Sequence, residues 1–167
     1  MALIDGMLQE LEHEAATTRR VLERVLDRQL EWRPHEKSRT LGQLALHIAT
    51  VPGAVAELGA SPSPVQAPRF GADPSPAHAS DLVPALERSI AQARQTLGGM
   101  DDATLMSTWR LMNGERELFA IPRMAFLRSV MLNHWYHHRG QLTVYLRELG
   151  IAVPSIYGPS ADENPFA

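Results

Sequence analysis

Four segments of this chain carry apolar residues that step by threes and fours, and each is closed by proline, glycine or a polar connection. That period is the stripe of an α-helix, and a striped helix must bury its stripe against a neighbour. The first segment runs from about residue 2 to 30. Ile4, Leu8, Leu11, Ala15, Thr18, Leu22 and Val25 form a heptad seam, the pattern of a helix packed lengthwise in a bundle. Glu10, Glu12, Glu14, Arg19, Arg20 and Glu23 mostly fall outside it and read as a solvated surface.

The second segment begins at Thr40, where Thr40 and Gln43 have capping-box spacing. Its stripe is Leu44, His47, Ile48, Val51, Val55 and Leu58, and Pro52 should kink or break it. Residues 59–77, rich in Pro, Ala, Ser and Gly, read as a long surface loop. Ser80 or Asp81 caps a third segment striped by Leu82, Leu86, Ile90, Ala93 and Leu97, which stops at Gly98-Gly99. Residues 107–121 read as a small β-hairpin turning at Asn113-Gly114. The fourth segment spans about 122–149, from Pro122 in its first turn to Gly150 after its end. The tail from Pro154 to Ala167 cannot be a helix and is expected to pack on the rest. The expectation is one all-α domain over residues 1–167, an antiparallel four-helix bundle with a small β-hairpin before the last helix.

The fourth stripe contains the chemistry. Met124, Leu127, Met131, His134, His138, Gln141 and Tyr145 step by threes and fours, so His134 and His138 stand where leucine is usual. Imidazole is a good ligand for zinc and similar metals, and a spacing of four puts both rings on one side of a helix. His47 lies between Leu44 and Ile48 on the second stripe and is the best third ligand. His13 points elsewhere, His35 and His78 are in loops, and His137 is rotated about 100° from His138. The plain alternative is three core histidines with ordinary hydrogen-bond partners. Three histidine ligands leave a fourth position for water or substrate, as in catalytic zinc sites. Zn, Ni and Fe all accept imidazole. Gly140, inside the fourth segment, suggests a close approach by another backbone.

Other chemistries are excluded or unsupported. The chain has no cysteine, so any thiol must come from outside. His134-Trp-Tyr-His-His138 lacks the glutamate of His-Glu-x-x-His, and no inward Glu-x-x-His pattern marks a di-iron bundle. No phosphate loop or Gly-x-Ser-x-Gly is present. No residue stands out as catalytic acid or base beyond a weak nomination of His137. The formal net charge is -3, with Lys37 the only lysine among 16 basic residues and no basic stripe, so nucleic acid is not an expected partner. No run reads as the roughly 20 apolar residues of a membrane helix. The N-terminal residues lack the basic start of a signal peptide, so the cytoplasm is the expected location.

Thr40-Leu-Gly-Gln-Leu-Ala-Leu-His-Ile48, Asn133-His-Trp-Tyr-His-His-Arg-Gly-Gln-Leu142 and Ile156-Tyr-Gly-Pro-Ser-Ala-Asp-Glu163 resemble the DinB family of DinB/YfiT-like metalloenzymes, over nearly the whole chain. The resemblance implies a four-helix bundle, a divalent metal held by His47, His134 and His138, and a homodimer. Some relatives look like metal-dependent transferases or isomerases that use a low-molecular-weight thiol such as bacillithiol or mycothiol. It therefore implies a small-molecule substrate and a metal-dependent enzyme of the thiol S-transferase or isomerase kind. The alternatives are a hydrolase using metal-bound water and a non-catalytic metal-binding stress protein.

Overall fold

The computed structural model describes residues 2–69 and 71–167. Met1, at the start of the expected domain, and Phe70, in the expected loop, lie outside the described residues. The chain is mostly helical with a small three-stranded sheet. Helix α1 spans Leu3–Leu22, α2 Leu41–Ala60, α3 Leu82–Gly98 and the short α4 Asp102–Met106. Strands β1 (Val65–Gln66), β2 (Thr108–Asn113) and β3 (Arg116–Pro122) form the sheet. The last helical rod has three parts: α5 (Arg123–Phe126), a wide π-type stretch (Leu127–Asn133) and α6 (His134–Glu148). Buried residues from all the long helices join one core that includes Leu11, Ile48, Ile90 and Trp135.

The first helix is shorter than its sequence pattern, because a turn and a 3-10 turn at Asp27–Gln29 come after Leu22. Its buried line is Ile4, Met7, Leu11, Glu14, Thr18 and Val21, while Leu8 and Ala15 are only partly covered. Glu14 is therefore not part of a solvated face. It is 5% exposed and pairs with Arg139, 1% exposed, at 2.6 Å.

Thr40 and Gln43 form the expected capping box, with Thr40 N–H donating to Gln43 Oε1 and Gln43 N–H to Thr40 Oγ1. Helix α2 then runs through Pro52 unbroken. A proline at 52 cannot donate to the carbonyl of residue 48. The Trp135 indole N–H takes that carbonyl instead, at 2.9 Å. Ser89 of α3 closes the next gap: Gly53 N–H donates to its hydroxyl at 2.8 Å, and the hydroxyl donates to Thr50 O. A Cβ on Gly53 would lie 2.9 Å from the Ser89 carbonyl, so glycine lets the two helices meet here. By length and composition α2 is long and apolar enough to cross a membrane, contrary to the sequence expectation. Much of that apolar surface serves the core: Leu41, Leu44, Ala45, Ile48, Ala49 and Ala56 are fully buried.

The hairpin is present, with a different turn. Asn113 pairs with Arg116, so Gly114-Glu115 is the two-residue loop, and Gly114 has φ +60°. Glycine with positive φ at the first central position marks a type II′ turn. The loop after α2 is more than a surface excursion. Val65 and Gln66 add a parallel strand beside β2, Ala67 N–H donates to Met112 O, and Ser63 Oγ accepts from Arg110 N–H. At the entry to α3, Asp81 accepts from His78 N–H at 2.9 Å, which caps the preceding 3-10 turn (Ala79–Asp81). The tail packs on α1 and α6: Arg20 binds Glu163 and the Ser155 carbonyl, and Arg147 binds Asp162.

Candidate metal centre

The π-type stretch sets the phase of the histidines. Leu127, Met131 and Tyr145 are buried as the stripe requires, but between the last two the residues that reach the core are Leu132, Trp135, Arg139 and Leu142, and Leu146 is buried beside Tyr145. His134 and His138 are half-buried and sit at the edge of that seam, not on its centre line. A π turn inserts residues into the helical repeat and re-aims the side chains beyond it, and such turns are frequent at functional sites. Both rings face His47 of α2, which packs against the π stretch and α6.

The three rings converge. Ring centroids lie 5.2 Å apart for His47–His134, 4.8 Å for His47–His138 and 4.5 Å for His134–His138. One nitrogen from each lies within 4.8 Å of the other two. Among the described residues the buried His47 Nε2 and His134 Nδ1 have no hydrogen-bond partner of proper geometry. His134 Nε2 and His138 Nε2 face each other at 2.9 Å, and His138 Nδ1 meets Gln141 Oε1 at 2.9 Å.

This arrangement fits a ligand set better than a hydrogen-bonded cluster. An amide oxygen only accepts, so the proton of neutral His138 sits on Nδ1 and a lone pair on Nε2. A hydrogen bond between the two Nε2 atoms then requires the His134 proton on Nε2, and its buried Nδ1 is left as a lone pair with no donor. His47 Nε2 is unpartnered in either case. A shared cation would take one nitrogen from each ring, with the His134 proton then on Nδ1 toward the Val130 carbonyl and Gln141 fixing His138 as hydrogen-bond partners of metal-bound histidines do.

The electrostatics keep the site neutral at pH 7. Burial pushes His47 down to about 4, reinforced by Arg39 and the two other imidazoles and opposed by Asp73. Burial also lowers His134 and His138, against the Val130 carbonyl and the Gln141 bond respectively. Metal ligation needs the neutral imidazole, which all three present. Arg39 and Asp73 stand beside the cluster as a two-contact ion pair at 2.7 and 3.2 Å, and Gln43 Nε2 donates to the Asp73 carbonyl. Asp73 is held below the usual carboxylate range by that bond to Arg39.

Gln141 was visible in the stripe, three residues after His138. Arg39 and Asp73 were not singled out by the sequence: Arg39 only precedes a cap, and Asp73 comes from the proline-rich connection. His137 is exposed with its ring 4.9 Å from that of His138, while His13, His35 and His78 are exposed outside the cluster. Gly140 admits no neighbouring backbone, since a Cβ there would meet nothing within 4 Å among the described residues.

Comparison with known proteins places the chain in a family. The DinB family model matches residues 2–165. The chain belongs to the DinB family. Among solved structures it is similar to a DinB-like protein from Bacillus cereus, with a TM-score of 0.69, 26% identity, and 92% and 97% of the two chains covered. Two more share the fold: YjoA of Bacillus subtilis (TM-score 0.64, 20% identity, 89% and 94% covered) and a DinB family member from Exiguobacterium sibiricum (0.62, 23%, 97% and 98%). The Bacillus subtilis protein YrdA is 27% identical over 160 residues, covering 96% of this chain and 91% of its own. The cluster of this DinB family member is compatible with metal binding.

Proposed function

We propose that this DinB family protein is a metal-dependent thiol S-transferase in which His47, His134 and His138 hold one divalent ion, Zn, Ni or Fe. The observation that carries the reading is the buried, unpartnered His47 Nε2 beside two Nε2 atoms that face each other. Three neutral imidazoles leave the charge of a divalent ion uncompensated, and Asp73 is engaged by Arg39. An ion held there would favour the anionic form of an incoming nucleophile. A low-molecular-weight thiol of the bacillithiol or mycothiol kind suits this, because the chain offers no thiol of its own. A hydrolase acting through metal-activated water would need a base at the cluster, and the half-buried carboxylate beside it is tied up. In the same reading the four long helices act as an antiparallel bundle in one domain, working as a cytoplasmic homodimer on a small-molecule substrate.

The test is elemental analysis of purified protein, then conjugation of a model electrophile with added thiol. One divalent ion per chain and loss of conjugation on chelation are expected. Rates unchanged by chelation, or full metal occupancy in His47→Ala, refute it. Ester hydrolysis without thiol would select the hydrolase, and metal-dependent stability without turnover the non-catalytic role.

A further inference from the structure

The histidine cluster opens into a cavity of about 370 Å³, within the ~300–1,000 Å³ range of small-molecule sites. His47 and His134 form one part of its wall, and Val51, Val55 and Leu58 of α2, Val130 of the π stretch and Pro68 of the connection form most of the rest. Among the described lining residues none is charged, and Thr50 is the only polar side chain besides the two imidazoles. The core-facing side of α2 is fully covered, yet this neighbouring face is left open beside the reactive cluster.

We propose that this cavity receives an uncharged alkyl or aryl substituent of the substrate, whose reacting polar end lies at His47, His134 and His138. The proposal deepens the function proposed above and rests on it only for the placement of that polar end. A charged substituent would lose its hydration with no counter-charge in the walls. A peptide strand would find too few partners for its backbone groups. An apolar group of about six carbons instead removes the valine and leucine surface from water, and each buried methylene tightens binding several-fold.

The cavity can be tested without metal. In metal-free protein with labelled valine and leucine methyl groups, 1-hexanol should produce saturable NMR shifts confined to Val51, Val55, Leu58 and Val130. Hexylammonium should bind at least tenfold more weakly. Val55→Phe, which fills the cavity, should abolish the shifts. Ala54→Glu, a change at an exposed rim position, should weaken hexanol at least fivefold in a folded protein. In metal-loaded protein, calorimetry should show hexanohydroxamate binding at least tenfold tighter than acetohydroxamate. Scattered methyl shifts, equal binding of hexylammonium, or equal hydroxamate affinities overturn the proposal. So do shifts at these methyls that grow with protein concentration alone, because a second copy of the chain would then occupy the cavity. A protein that takes up no metal yet passes the hexanol arm refutes the metal reading and leaves the apolar site standing.

Discussion

His138 and Arg139 are consecutive residues of α6 that face opposite problems. Arg139 is more deeply buried, yet its charge is answered on every side. It pairs with Glu14 at 2.6 Å, donates to Thr18 Oγ1 at 3.1 Å and to the Glu14 carbonyl at 3.2 Å, and contacts the Tyr157 hydroxyl. Its guanidinium also lies 5.2 Å from the ring centroids of Tyr136 and Tyr157. Tyr157 Oη donates to Glu14 at 2.9 Å, which ties the tail to α1. On the other side of the same helix, His138 and His134 bring their Nε2 atoms to 2.9 Å of each other, and His134 Nδ1 and the facing His47 Nε2 are buried without a partner among the described residues. A saturated polar network holds a fold together. Converging groups without partners indicate that something else completes them.

Breaking the saturated side should have the largest effect. Arg139→Ala strands Glu14 as a buried, unpaired carboxylate and should cost about 3–5 kcal/mol in denaturant unfolding. Replacing both partners with apolar residues should recover much of that loss. Metal stoichiometry of whatever remains folded should be unchanged, since Arg139 points away from the cluster. A loss under about 1 kcal/mol would show that the network contributes little.

Breaking the unsaturated side should do the reverse. His47→Ala removes a buried nitrogen without a partner, so the melting temperature of metal-free protein should hardly fall. The stabilisation by metal, about 2.7 kcal/mol at a hundredfold excess over Kd, should vanish. The pH dependence has a definite sign. Unfolded histidine titrates near 6.5 and folded His47 near 4, so the unfolded chain binds the extra proton first as pH falls. Metal-free protein should lose stability from about pH 6.5 down to about 4, and His47→Ala should flatten that slope in urea titrations. An unaltered slope would place the titration elsewhere.

The same comparison shows what the sequence could reveal. His47, His134 and His138 were legible because histidine interrupts apolar stripes, and a periodicity of three to four survives small errors of phase. The phase itself was not legible. In α1 the line through Ile4, Leu11 and Thr18 has two possible companions, and the helix buries Met7, Glu14 and Val21 where Leu8, Ala15 and Leu22 were expected. Leu22 is buried as well, so both registers share that end. Glu14 argued against the true register because its partner, Arg139, is 125 residues away in the chain. The π stretch was hidden for a related reason: the wide turn leaves no composition signal. It moves the histidines from the centre of the seam to its edge, beside the cavity.

Two smaller changes refine the contrast. Trp135→Phe keeps the ring but leaves the Ile48 carbonyl, already deserted by Pro52, without its donor. A loss of about 1–3 kcal/mol in unfolding is expected. A markedly smaller loss in a Pro52→Ala background would confirm the link, because an alanine N–H can take that carbonyl. Gly140→Ala is the mildest probe, and it lies next to Arg139 and two residues from His138. The space around it is open among the described residues, so alanine should stabilise the helix by up to about 1 kcal/mol, with metal content unchanged. A destabilised protein, or one whose sedimentation shifts to a smaller species, would mean that a second copy of the chain packs closely on this exposed face. Glycine would then serve an interface between copies rather than the histidine cluster.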